Sequence, residues 1–133
     1  MQGNEIKRRV VMIDPRKTLN KLLYAGEIAR VEFISNCSKE IAIVHFDERG
    51  IYNAYNIKDL LVIYPERLLF ENICKNFGKL DDNDMREIFA VVTNYQKRYY
   101  EDSFRIGLKN KQIAPLCITD LGSILRPAEL LSL

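Results

Sequence analysis

One histidine and three cysteines are the groups in this 133-residue chain best suited to nucleophilic or metal chemistry, and their spacing narrows what they can do. Cys37, Cys74 and Cys117 stand far apart, with no CxxC and no Cys/His cluster, so neither a disulfide framework nor a zinc site is indicated. His45 lies in the apolar run "EIAIVHF", where a hydrogen-bonded structural histidine is a simpler reading than a base or ligand. A thiolate–imidazole pair of His45 with Cys37 or Cys74 would have to be assembled by the fold, because such partners meet in space rather than in sequence. Asp47-Glu48 falls in a turn signal, which suits turn chemistry better than a paired acid and base. "DDNDMRE" (81–87) lacks the central glycine and the closing bidentate glutamate of a calcium loop, so it reads as a helix start. No glycine-rich phosphate loop, GxSxG or HExxH occurs. The expectation is a protein without catalytic activity, metal or cofactor.

Charge and aromatic residues point to binding instead. The net charge of +2 does not by itself imply a nucleic-acid partner. Residues 1–30 are the basic part: Lys7, Arg8, Arg9, Arg16, Lys17, Lys21 and Arg30 stand against Glu5, Asp14 and Glu27. Lys7, Arg8, Arg9, Arg16 and Lys17 are therefore candidate phosphate contacts, with an ordinary solvated basic end as the plainer account. "YQKRYYED" (95–102) mixes Lys97 and Arg98 with tyrosines, a composition that can stack on single-stranded bases. On a helix, Tyr95 and Tyr99 would be i, i+4 neighbours, and packing accounts for at least one of them.

These residues must be positioned by a short list of elements. "RRVVMIDP" (8–15) is a β-rich run ended by Asp14-Pro15. "KTLNKLLYAGE" (17–27) carries Leu19, Leu22 and Leu23, with Thr18 as a cap and Gly26 as a stop; a turn or two of helix and an irregular loop both fit. "EIARVEFIS" (27–35) alternates, with Ala29, Val31 and Phe33 on one face and Arg30 and Glu32 on the other. "EIAIVHF" (40–46), "DERG" (47–50) and "IYNAYN" (51–56) read as strand, tight reversal and strand, and "LLVIY" (60–64) as a strand ended by Pro65. Residues 40–46 and 60–64 are apolar on both faces, which requires cover on both sides.

Beyond Pro65 the period changes. Residues 65–78 place Leu68, Leu69, Asn72 and Ile73 at helical spacing, with Gly78 as a stop. A longer helix spans about 82–100, capped by Asp81 or Asp82, with Met85, Ile88, Phe89, Val92, Gln96 and Tyr99 as its expected inner face. Ile88, Phe89 and Val92 are expected to cover the outer face of the sheet. Pro127 is a candidate opening of a last short helix. The tail "ILRPAELLSL" is apolar enough to fold back onto the chain or to serve as a homodimer contact.

The order of strand, turn, strand, tight turn, strand, helical turn and strand over 27–64 resembles the Tudor/SH3-like small β-barrels. The residues that carry it are "GEIARVEFI", "EIAIVHFDERG", "IYNAYN" and "IKDLLVIY". The resemblance implies binding of peptides, modified side chains or nucleic acid without chemistry. It nominates Phe33, Phe46, Tyr52 and Tyr55 as aromatic candidates, of which alternation assigns Phe33 and Phe46 to the core. Tyr52 and Tyr55 remain as the candidate ligand surface.

The combined expectation is a single α+β domain over residues 1–133. A small antiparallel SH3-like barrel or curled meander (27–64) is followed by packing α-helices (65–133). The expected role is a non-catalytic cytoplasmic module that binds another protein or peptide, with nucleic-acid binding through the basic N-terminal segment as the alternative. No apolar run approaches the roughly 18 residues that cross a bilayer, and no signal-peptide pattern follows Met1.

Overall fold

A computed structural model describes residues 8–19, 21–35 and 40–125. Lys7, Cys37 and the tail from 126 onward lie outside the described residues. The architecture is α+β, as the change of period at Pro65 predicts. The chain forms two compact units: residues 1–62 with 120–133, and residues 63–119.

The sheet comprises β1 (Val10–Ile13), β2 (Ile28–Ile34), β3 (Ile41–Phe46), β4 (Ile51–Asn56), β5 (Leu60–Ile63) and β6 (Ile118–Asp120). Its order is β4-β3-β2-β1-β5-β6. The sheet is open, with β4 and β6 at its ends, so the barrel closure expected for 27–64 is not what forms. The sequence of β2, β3, tight turn, β4, a 3-10 turn over Ile57–Asp59 and β5 is as read from the residues. The short run 8–15 proves central: β1 pairs antiparallel with β2 on one side and β5 on the other, and all four of its residues are buried.

Double cover holds for β5 and fails for β3. Leu60, Leu61, Val62 and Ile63 are all buried. In β3 only Ala42, Val44 and Phe46 are buried, while Ile41 is exposed and Ile43 and His45 are half-buried. Both strands lie one place in from an end of the sheet, so the difference is in how their faces are covered and not in sheet position. A helical stretch over 121–125 supplies Leu121, Ile124 and Leu125 to the core of this unit. It sits tightly enough that a Cβ at Gly122 would lie 3.3 Å from Ile57 Cδ1. Residues 17–19 and 21–27 form turns and irregular backbone rather than helix. Gly26 takes φ +82°, and its N–H donates to Ile13 O over 2.7 Å, fastening this loop to the end of β1.

The second unit holds α1 (Glu66–Asn76), α2 (Asp82–Gln96), α3 (Tyr100–Lys109) and the single turn α4 (Ala114–Cys117). Helix α1 buries Leu69, and Asn72 Nδ2 donates to Leu116 O of α4. Helix α2 opens with a reciprocal cap, Asp84 N–H to Asp81 Oδ1 (2.7 Å) and Asp81 N–H to Asp84 Oδ2 (3.1 Å). Asn110 Nδ2, just past α3, donates to both Asp84 Oδ1 and Glu87 Oε1 at 3.1 Å, pinning the start of α2.

The helix expected to run to about residue 100 ends at Gln96, and a further helix begins at Tyr100. Arg98 takes φ +68°, and the N–H groups of Arg98 and Tyr99 return to Tyr95 O and Asn94 O. That is the left-handed stop usually given to glycine. The chain then folds α3 against α2. Small residues permit the approach: Ser103 Oγ donates to Val91 O (2.7 Å), and a Cβ at Gly107 would lie 3.6 Å from Val91 Cγ2 and 2.8 Å from Ile118 Cδ1. The inner face of α2 is therefore Asp84, Ile88 and Val91. Phe89, expected in the core, is 67% exposed. Tyr64 N–H donates to Cys117 O over 2.9 Å, so the two ends of this unit lie side by side.

Candidate interaction face

Three strands of the first unit present a broad face whose residues are fixed by register. Arg30, His45 and Tyr52 form one cross-strand row over β2, β3 and β4, and Phe33, Ile43 and Ala54 form the next. Antiparallel partners share a face, so these six side chains point the same way, together with Ile41. The opposite face carries Val31, Ala42, Val44 and Phe46, all buried.

A register shift between Val31 and Phe33 explains why Phe33 is on the open face. Strict alternation puts Phe33 with Ala29 and Val31, in the core. Glu32 is an extra residue at that point, and every side chain after it changes face. Phe33 is accordingly 59% exposed, and the reading of Phe33 as core is corrected. Phe46, assigned to the core on the same grounds, is buried there.

Tyr52 and Tyr55 occupy opposite faces, as the odd spacing between them requires in a strand. Tyr52 is 64% exposed, its ring 4.6 Å from the His45 imidazole. Tyr55 is buried, edge-on to Phe46 at 6.3 Å, and its hydroxyl donates to Leu23 O over 2.6 Å. Burial raises the Tyr55 pKa. The candidate ligand surface thus keeps Tyr52, and Tyr55 anchors the 21–26 loop. Tyr24 completes that inner cluster, 5.1 Å from Phe46, with the Arg49 guanidinium stacked over it at 4.3 Å and paired to Glu27.

One corner of the open face is a polar network. His45 Nδ1 lies 2.8 Å from Asp47 Oδ1, and Arg30 Nε donates to Asp47 Oδ2 over 3.0 Å. The hydrogen bonds from His45 and then Arg30 hold the Asp47 carboxyl below the usual carboxylate range. His45 is therefore a partnered, half-buried histidine packed beside the Tyr52 ring. It belongs to the first unit and Cys74 to the second. Cys117 is buried, and burial pushes its thiol up to about 12. No cluster of three metal-ligating side chains occurs among the described residues.

Three of the candidate phosphate contacts face carboxylates. Arg8 pairs with Glu32 (2.6 Å), Arg16 with the buried Asp14 (3.0 Å) and Lys17 with Asp59 (3.6 Å), while Arg9 is half-buried. Reasoning from sequence missed Ile41 as a surface residue. The signal was its place as the first residue of a strand, directly after the polar run "NCSKE".

Compared with known proteins, the chain matches no family model, no curated protein and no solved structure. Among the described residues no helix is long and apolar enough to cross a membrane.

Proposed function

We propose that this chain is a non-catalytic cytoplasmic interaction module that binds another protein or peptide through the open face of β2, β3 and β4. The observation that carries the reading is the exposure of Phe33, Ile41 and Tyr52 together on one rigid sheet face. Single exposed apolar residues are ordinary, whereas a cluster rimmed by polar groups is characteristic of a binding surface. Tyrosine and phenylalanine on a strand contribute contact area with little rotamer entropy to lose. Arg30, His45 and Asp47 supply the polar rim, already organised by their mutual hydrogen bonds. The strand order and the 3-10 turn before β5 support the resemblance to the small SH3-like modules, which bind and do not catalyse. The free thiols of Cys74 and Cys117 fit a reducing compartment.

The test is comparative affinity capture from the native cell, using the wild-type chain and a Phe33→Ser/Tyr52→Ala variant of equal stability. A partner retained by the wild type and lost at least tenfold by the variant supports the face. The partner should then shift the amide resonances of β2–β4 in the purified pair. Equal capture by both chains would remove this reading.

A further inference from the structure

Strands β4 and β6 form the two ends of the sheet among the described residues. An end strand offers a row of outward N–H and C=O groups on which a further strand can pair. Strand β6 has three residues and offers little of such a row, whereas β4 has six. The ladder fixes which groups of β4 face out. Ile57 N–H donates to Glu40 O over 2.8 Å, and along an unbroken antiparallel register the bonded positions recur at every second residue. Ile51, Asn53 and Tyr55 therefore turn their backbone groups toward β3. Tyr52, Ala54 and Asn56 turn theirs outward, with Ala54 in the middle.

The Ala54 N–H is already taken by its own strand: Asn53 Oδ1 accepts it over 2.9 Å. A side-chain network gives this contact its direction. The Tyr55 hydroxyl donates to Leu23 O over 2.6 Å, because a carbonyl can only accept. The hydroxyl oxygen is left to accept from Asn53 Nδ2 over 3.3 Å, which turns the amide oxygen toward Ala54. The 21–26 loop thus holds the Asn53 side chain, through Tyr55, against the outer edge of β4.

We infer that Asn53 is a stop against strand addition, and that the strand it excludes is β4 of a second copy of the chain. The edge is self-complementary about Ala54. When two β4 strands pair antiparallel on a two-fold axis, Tyr52 meets Asn56 of the second copy and Ala54 meets its own counterpart. The two Ala54 N–H groups are then the donors of the two central bonds. The side chain beside the axis is a methyl group, which does not part the strands. Asn53 occupies the central donor in each chain, so both bonds are denied at once. The inference is independent of what the open face of β2–β4 binds.

The test compares the wild-type chain with Asn53→Ala and with Asn53→Ala/Ala54→Pro. Amide exchange reads the contact itself: Ala54 should exchange at least about tenfold faster in Asn53→Ala, with the rate at Ile57 unchanged. Sedimentation from about 10 to 300 μM, where exposed strand edges associate, reads the consequence. Asn53→Ala should gain mass with concentration while the amide resonances of Tyr52, Ala54 and Asn56 shift, and in the wild type those resonances should stay in place. Proline at 54 has no N–H to give, and at an outward position it breaks no bond to β3. The double variant should therefore lose the association. Loosening of β4 by loss of the Asn53 side chain cannot give that reversal, since proline at 54 restores none of its contacts. An unchanged exchange rate at Ala54 would overturn the inference, as would an Asn53→Ala chain that associates no more than the wild type. So would association that persists in a double variant with wild-type circular dichroism, or β4 resonances that shift with concentration in the wild type.

Discussion

Asp14 shows how much one side chain decides. It is buried at the end of β1, and burial alone would raise its pKa. Hydrogen bonds from the Arg16 guanidinium and N–H outweigh that, aided by the charges of Arg16 and Lys17, and the net shift is downward. Glu27, Asp47 and Asp84 are lowered as well, Glu27 by Arg49, Asp47 by His45 and Asp84 by Asn110. A carboxylate whose folded pKa lies below its unfolded value stabilises the fold above the unfolded value, roughly pH 4, and that stabilisation is lost as pH falls through the folded pKa. Stability should therefore be level from neutral to about pH 5 and then decline toward pH 2. Asp14→Asn should lower the urea midpoint at pH 7 and flatten the acid decline. Parallel acid profiles for variant and wild type would show that the Asp14–Arg16 pair does not contribute. Phe33 marks the limit of legibility at this scale. Its type was readable, but its face depended on one bulged residue, Glu32, which alternation has no means of signalling.

Among the elements, the strands were legible and one helix was misjudged. Strands β2 to β5 announce themselves because half-buried strands must alternate and short polar turns must separate them. The α2–α3 break was hidden because Arg98, rather than glycine or proline, adopts the left-handed conformation there. Without that break, α3 is not foreseen as a neighbour of α2, and the expected inner face is rotated from Asp84, Ile88 and Val91 toward Phe89. Strand β6, three residues long, is too short for any period to register. The corrected packing reverses a stability expectation. Phe89→Ala should cost at most about 0.5 kcal/mol, as exposed substitutions do. Phe104→Ala, at a side chain fully buried on α3, should cost roughly 3–5 kcal/mol. Denaturant midpoints of the two variants decide the matter: a Phe89→Ala loss as large as that of Phe104→Ala would restore the original face.

For the whole molecule, the pairing of Tyr64 with Cys117 has a genealogical consequence. Entry and exit of the helical segment are held side by side by this bond and by the β5–β6 pairing, so residues 65–116 form a detour that leaves β5 and returns as β6 beside it. A chain built this way has the form of a compact host with a guest spliced into one of its connections. Loop-closure cost grows only with the logarithm of length, so such a connection tolerates very different contents. Replacing residues 65–116 with about five glycine and serine residues should leave a folded host, with dispersed amide resonances for β1–β5 and slow exchange at Tyr64. Collapse of that dispersion would mean that host and guest fold as one. If the host persists, the sheet and the helical segment are separable inheritances, the one carried by the scaffold and the other brought in with the cassette.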